Sequence, residues 1–137
     1  AFAMPGGVVV VTDELIELAE RDAELIAVLA HEVGHLSAHH SFRILLQDSV
    51  GAVLIATITG DLSSITALSA AVPTVLLQAK YSRDFEREAD QYAFSYLRRK
   101  GLPTDALSDL LKRMEEQSDG DGVPEWLSTH PPSESRR

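Results

Sequence analysis

The sequence contains no cysteine. Disulfides and thiolate metal ligands are therefore excluded, while the redox compartment stays open. Positive charge is also scarce: 12 Lys and Arg stand against 21 Asp and Glu, a formal net charge of −9. A nucleic-acid partner is disfavoured on that ground, because phosphate binding needs a basic face. No long unbroken hydrophobic run is present. The longest uncharged stretch, Leu62 to Ala79, carries several Ser and Thr and a central Pro73, which argues against a free-standing transmembrane helix. There is no internal repeat. The first residue is alanine and no signal peptide is visible, so the expectation is a processed or excised piece of a longer chain.

What is present is an ordinary globular balance: 137 residues, 45% hydrophobic and 24% charged, enough for one modest domain with a core. "PGG" at Pro5 to Gly7 reads as a turn and Val8 to Val11 as a short strand. Thr12 can cap a helix with Asp13 and Glu14 in its first turn, and Asp22 reads as the next cap. Leu25, Ile26, Val28, Leu29, Val33 and Leu36 recur at helical spacing, predicting a largely buried helix to about His40 or beyond. Ser49 to Ala79 reads as two helices joined by a loop. A further helix is expected from about Arg83 to Lys100, stopped by Gly101, and another from Thr104 or Asp105 to about Gln117. The remainder, from Ser118, reads as a loop punctuated by Pro and Gly.

The predicted buried helix carries "HEVGH", His31 to His35. Residues four apart share one helical face, so His31 and His35 can send both imidazoles to one Zn²⁺. Glu32 follows the first ligand and can act as base towards a metal-activated water. The competing reading is a solvated helix face rich in histidine. The small and apolar neighbours Ala30, Val33 and Gly34 weaken it, since they point to burial, and buried histidines need partners. His39 and His40 are the nearest candidates for a third ligand. However, His31, His35 and His39 on one straight row would span about 12 Å, too long for one ion. No glycine follows His35 before Gly51, which removes the metzincin arrangement. His40 is left as a residue behind the ligands or at the helix end. A carboxylate from another helix is the better third ligand. In "EREAD", Glu86 and Asp90 share a face and Glu88 points elsewhere. Glu86 can bind the metal while Asp90 fixes a histidine tautomer. An acidic surface paired with Arg83 and Arg87 explains the same segment equally well.

Four segments occur in order: "AFAMPGG", "HEVGHLSAHH", "SRDFEREAD" and "THPPSESR". Together they resemble the gluzincin metallopeptidases that include the heat-shock protease HtpX, the CAAX prenyl protease and periplasmic quality-control proteases. The resemblance spans nearly the whole chain. It implies an α+β, mostly helical, zincin-like domain over residues 1–137, with a short N-terminal strand element and the active site between two helices. It implies one zinc per chain held by His31, His35 and Glu86, Glu32 as general base, and Asp90 behind a ligand. His130 of the His-Pro-Pro motif would bind the oxyanion or fill the open metal position in a resting state, and Arg136 would reach the active site. "AFAMPGG" would form the edge strand along which an extended substrate adds.

The implied function is zinc-dependent endopeptidase action on a protein or peptide, in quality control at the bacterial cell envelope, periplasmic or membrane-associated. Some members carry transmembrane helices near Ser49 to Ala79; the interruptions here imply a soluble or membrane-peripheral member. The alternative is a zinc-stabilised binding or chaperone-like module with a blocked site. A metal-free helical domain is the third reading.

Overall fold

The computed structural model describes residues 1–4, 6–60, 82–121 and 125–130. Among these the chain is mostly helical with one small sheet. Strands β1 (Phe2–Met4) and β2 (Val8–Val10) pair antiparallel, with Phe2 opposite Val10 and Met4 opposite Val8. Gly6 and Gly7 supply the left-handed backbone of the turn, at φ 97° and 87°.

Helix α1 (Asp13–Leu18) begins at Thr12, and Leu15 is its buried anchor. Helix α2 (Asp22–Ser37) is capped by Arg21 rather than Asp22, which is its first helical residue. Glu24 reaches back to accept the Glu20 backbone N–H at 2.9 Å, so a glutamate inside the first turn does the capping. The expected continuation to His40 fails. His39 adopts a left-handed conformation, φ 54° and ψ 36°, and helix α3 (His40–Thr59) starts afresh beyond it. The second helix and loop expected up to Ala79 lie outside the described residues.

Helix α4 (Arg83–Lys100) matches the expected bounds. Ser82 caps it by accepting the Phe85 N–H, Arg98, Arg99 and Lys100 face its negative end, and left-handed Gly101 stops it. Helix α5 (Ala106–Asp121) runs past the expected Gln117. A short helix α6 (Glu125–Thr129) replaces part of the expected loop. Its Trp126 is buried among Leu107, Leu110 and Met114 of α5, and that burial outweighs the local Pro and Gly signals.

The core gathers Leu15, Ala27, Val28, Leu97, Leu107, Leu110 and Trp126. Each large side chain taken from water contributes about 1.5–3 kcal/mol. Helix α2 buries two different surfaces. Ala27 and Val28 enter this apolar core, whereas His31, Glu32 and His35 are buried on the side that meets α4. Leu29 and Val33, expected to be buried, are exposed. The close face of α2 is instead made of small residues. A Cβ at Gly34 would lie 2.9 Å from Ala89 Cα and 3.1 Å from Tyr92 Cβ, so only glycine lets α4 approach this near. Among the described residues no helix is long and apolar enough to cross a membrane.

Candidate metal centre and active site

The glycine contact brings two turns of α4 against two turns of α2. Glu86 and Asp90 flank Ala89, the residue on which Gly34 rests, and both carboxylates are fully buried. His31 Nε2 and His35 Nε2 lie 2.9 Å apart. Glu86 places Oε1 3.3 Å from His35 Nε2 and Oε2 3.6 Å from His31 Nε2. His130, just beyond α6, completes the group: one donor atom each from His31, His35, Glu86 and His130 lie within 4.8 Å of one another. Asp90 Oδ1 sits 3.0 Å from His31 Nδ1 on the far side of the ring.

The donor set fits a metal ion. An ionised carboxylate can only accept, so Asp90 fixes the His31 proton on Nδ1 and leaves Nε2 as a lone pair. That lone pair faces a second imidazole nitrogen and the Glu86 carboxylate, an electron-rich focus that a cation stabilises. Imidazoles with a carboxylate suit zinc and neighbouring divalent metals.

Glu32 is buried beside this focus. Its Oε1 accepts the Trp126 indole N–H at 2.9 Å, and His130 Nε2 lies 3.5 Å away. Its Oε2 has no hydrogen-bond partner among the described residues. Burial pushes the Glu32 carboxyl up, against the opposing pull of His31 and the Trp126 hydrogen bond. His130 stacks on Trp126, with centroids 4.6 Å apart and planes 9° apart. The Trp126 carbonyl, 3.1 Å from His130 Nδ1, can only accept, so in a neutral ring Nε2 is the lone pair turned towards the cluster.

His31, Glu32, His35, Glu86, Asp90 and His130 are thus brought together. Arg136 and the two prolines after His130 lie outside the described residues. His39 is exposed and lines a cavity of about 370 Å³ with Gly6, Gly7, His35, Leu36 and Phe42. Glu88, expected to point away from Glu86 and Asp90, meets His40 instead: its Oε2 lies 3.1 Å from His40 Nε2. Burial lowers the His40 pKa, although Glu88 opposes it. Two contributors escape a reading of motifs: Gly34, as the contact point of α2 with α4, and Trp126. The i, i+4 spacing of Trp126 and His130, the signature of one helical face, is the signal that could have found the latter.

A buried HExxH histidine pair, its glutamate and a carboxylate from a second helix define the class: this is a metallopeptidase domain. The chain belongs to peptidase family M48, whose family profile matches residues 1–137. This bears out the resemblance carried by the four ordered segments. It is 30% identical over 145 residues to the metalloprotease YcaL of Escherichia coli K12, covering 99% of this chain and 54% of that protein. It is 31% identical over 150 residues to the beta-barrel assembly-enhancing protease of the same organism, covering 99% and 30%. It is also similar to the mitochondrial metalloendopeptidase OMA1 of Schizosaccharomyces pombe, at 32% over 139 residues, covering 99% and 41%. The chain therefore spans about half or less of the length of these relatives.

Proposed function

We propose that the domain is a zinc-dependent endopeptidase with its active site between α2 and α4. His31, His35 and Glu86 hold the metal, and Asp90 orients His31. The observation that carries this reading is the convergence of two imidazole nitrogens and a buried carboxylate beside Glu32. When bound, zinc supplies an activated water and polarises the scissile carbonyl.

The chain's own groups do the rest. Glu32 takes a proton on Oε2 and returns it to the leaving amine, while Trp126 steadies Oε1. Burial raises the basicity of Glu32, the direction that favours its taking a proton. Neutral His130 presents a lone pair and serves as a fourth donor in a closed, resting site; protonated, it offers Nε2–H to the oxyanion. Arg136 assists there. The β1–β2 hairpin lies next to the cavity beside His35 and offers an edge to an extended chain.

We take the substrates to be unfolded or misassembled proteins; one relative is named for enhancing beta-barrel assembly. The location is the bacterial envelope; the exposed apolar row Phe42, Leu46, Val50, Leu54 and Ile58 of α3 is a surface that a membrane would cover there. A second reading, a zinc-stabilised binding module, is favoured by the presence of His130 among the donors.

Glu32→Gln separates the two. The peptidase reading expects cleavage of an unfolded protein to fall at least about a hundredfold with zinc retained. Wild-type rates in the variant would sink it.

A further inference from the structure

The two histidine ligands are backed differently. His31 rests on a buried carboxylate, whereas His35 Nδ1 lies 2.9 Å from Nδ1 of His40. His40 is fully buried and stacks on Phe85 of α4, with centroids 4.3 Å and planes 9° apart. Its other nitrogen, Nε2, is 3.1 Å from Glu88 Oε2, and the same oxygen lies 3.4 Å from Arg43 Nη1. Three helices thus meet in one chain of groups: His35 from α2, His40 and Arg43 from α3, Glu88 from α4.

Hydrogen-bonding rules give this chain a direction. Glu88 can only accept, so His40 carries its proton on Nε2. A neutral His40 ring then presents Nδ1 as an acceptor, which requires the His35 proton on Nδ1. The Nε2 of His35 is left as a lone pair aimed at the metal focus.

The backbone also accounts for the placement. On an uninterrupted α2, residue 40 would stand about 140° round the helix from His35, on another face. The left-handed step at His39 restarts the helix and returns His40 to His35. Such a conformation is strained for a non-glycine residue, and strain of this kind gathers at functional sites.

We infer that His40, held by Glu88, is the positioning residue that fixes the tautomer and ring orientation of His35, as Asp90 does for His31. The inference rests on the zinc reading of the site. It assigns a task to two residues outside the HExxH and ExxxD pairs.

The test is chelator competition for zinc, together with the visible spectrum of the cobalt-substituted protein. His40→Ala should weaken zinc binding by about 10–100-fold and shift the cobalt bands. His40→Asn, whose amide oxygen can stand where Nδ1 accepts, should return affinity to within about threefold of wild type and restore the bands. Glu88→Ala alters a side chain that is 55% exposed, so its folding is not at stake; it should weaken zinc about two- to fivefold. Unchanged affinity in His40→Ala overturns the inference, and unchanged affinity in Glu88→Ala removes Glu88 from it. Equal loss in His40→Ala and His40→Asn would assign His40 to packing instead. None of these readings depends on cleavage. Failure of hydrolysis therefore leaves them standing, and their failure leaves the role of Glu32 standing.

Discussion

Helix α2 buries carboxylates at both ends of its length, and the two ends treat them differently. Near its start, fully buried Glu24 meets Arg21 Nε at 3.0 Å, a close contact from Arg113, and the Glu20 backbone N–H. About two turns on, Glu86 and Asp90 of the facing helix meet the imidazoles of His31 and His35. Guanidinium groups are charged at every physiological pH, whereas imidazoles are ordinarily neutral at pH 7. The first cluster therefore contains its own counter-charge and ties α2 to α5. The second sets His31, His35 and Glu86 around one point, where, on the metal reading, an added cation would supply the positive charge. On that reading a buried carboxylate is a structural element in one setting and a binding element in the other, and the identity of its partner decides which.

That contrast makes its strongest prediction at Glu86. Glu86→Ala should weaken zinc by at least about a hundredfold, read by chelator competition. The stability of the zinc-free protein should hardly fall, because the variant removes a buried charge that, on the metal reading, only the bound ion would balance. A zinc-free variant that unfolds readily would break the contrast by making both clusters structural. Glu24→Gln should show the reverse. Loss of the anion leaves Arg113 short of a partner and should cost about 2 kcal/mol in urea unfolding, with zinc affinity within about twofold of wild type. A large loss of zinc there would mean that the ends of α2 are coupled.

Gly34→Ala probes the contact between the two settings. The added methyl meets Ala89 backbone, which cannot swing aside as a flexible side chain could. It should cost about 1–3 kcal/mol, offset in part by the better helix propensity of alanine. It should also weaken zinc, since Glu86 and Asp90 move with Ala89. Full metal affinity in a destabilised Gly34→Ala protein would show that the ligands adjust independently of the helix contact.

The same contrast explains what could be read in the sequence. Elements fixed by local chemistry were legible. Helix α4 has its serine cap, basic end and glycine stop, and the shared face of His31 and His35 on α2 follows from four-residue spacing. Features fixed by partners distant in sequence were not. The break at His39 has no local signal, because Ala38 and His39 are acceptable helix residues; contacts of His40 with His35 and α4 decide it. Helix α6 hides behind Gly and Pro and is held by the burial of Trp126. The apolar row of α2 suggested burial of Leu29 and Val33, yet the buried face is the one with Ala30 and Gly34, chosen by the close approach of α4. Glu24 gave no sign of its role, since its partner Arg113 stands on another helix.

Acid should separate the clusters by the smallest effect of the series, best read on chelated protein so that loss of metal does not intrude. Burial alone would raise the Glu24 pKa, but the Glu20 N–H, Arg21 and Arg113 together hold it below the ordinary 4.5. A carboxyl depressed in the folded state binds its proton more readily once unfolded. Its stabilisation is therefore complete above about pH 4.5 and is lost as the pH falls through the folded value. The unfolding free energies of wild type and Glu24→Gln should accordingly differ by a constant amount from pH 7 to about pH 5 and converge below that. Glutamine cannot titrate, so the convergence isolates the one carboxylate. A gap that stayed constant down to pH 3 would show that Glu24 contributes through shape and hydrogen bonding alone. It would also remove the permanent charge of its partners as the feature that distinguishes this end of α2 from the proposed metal site.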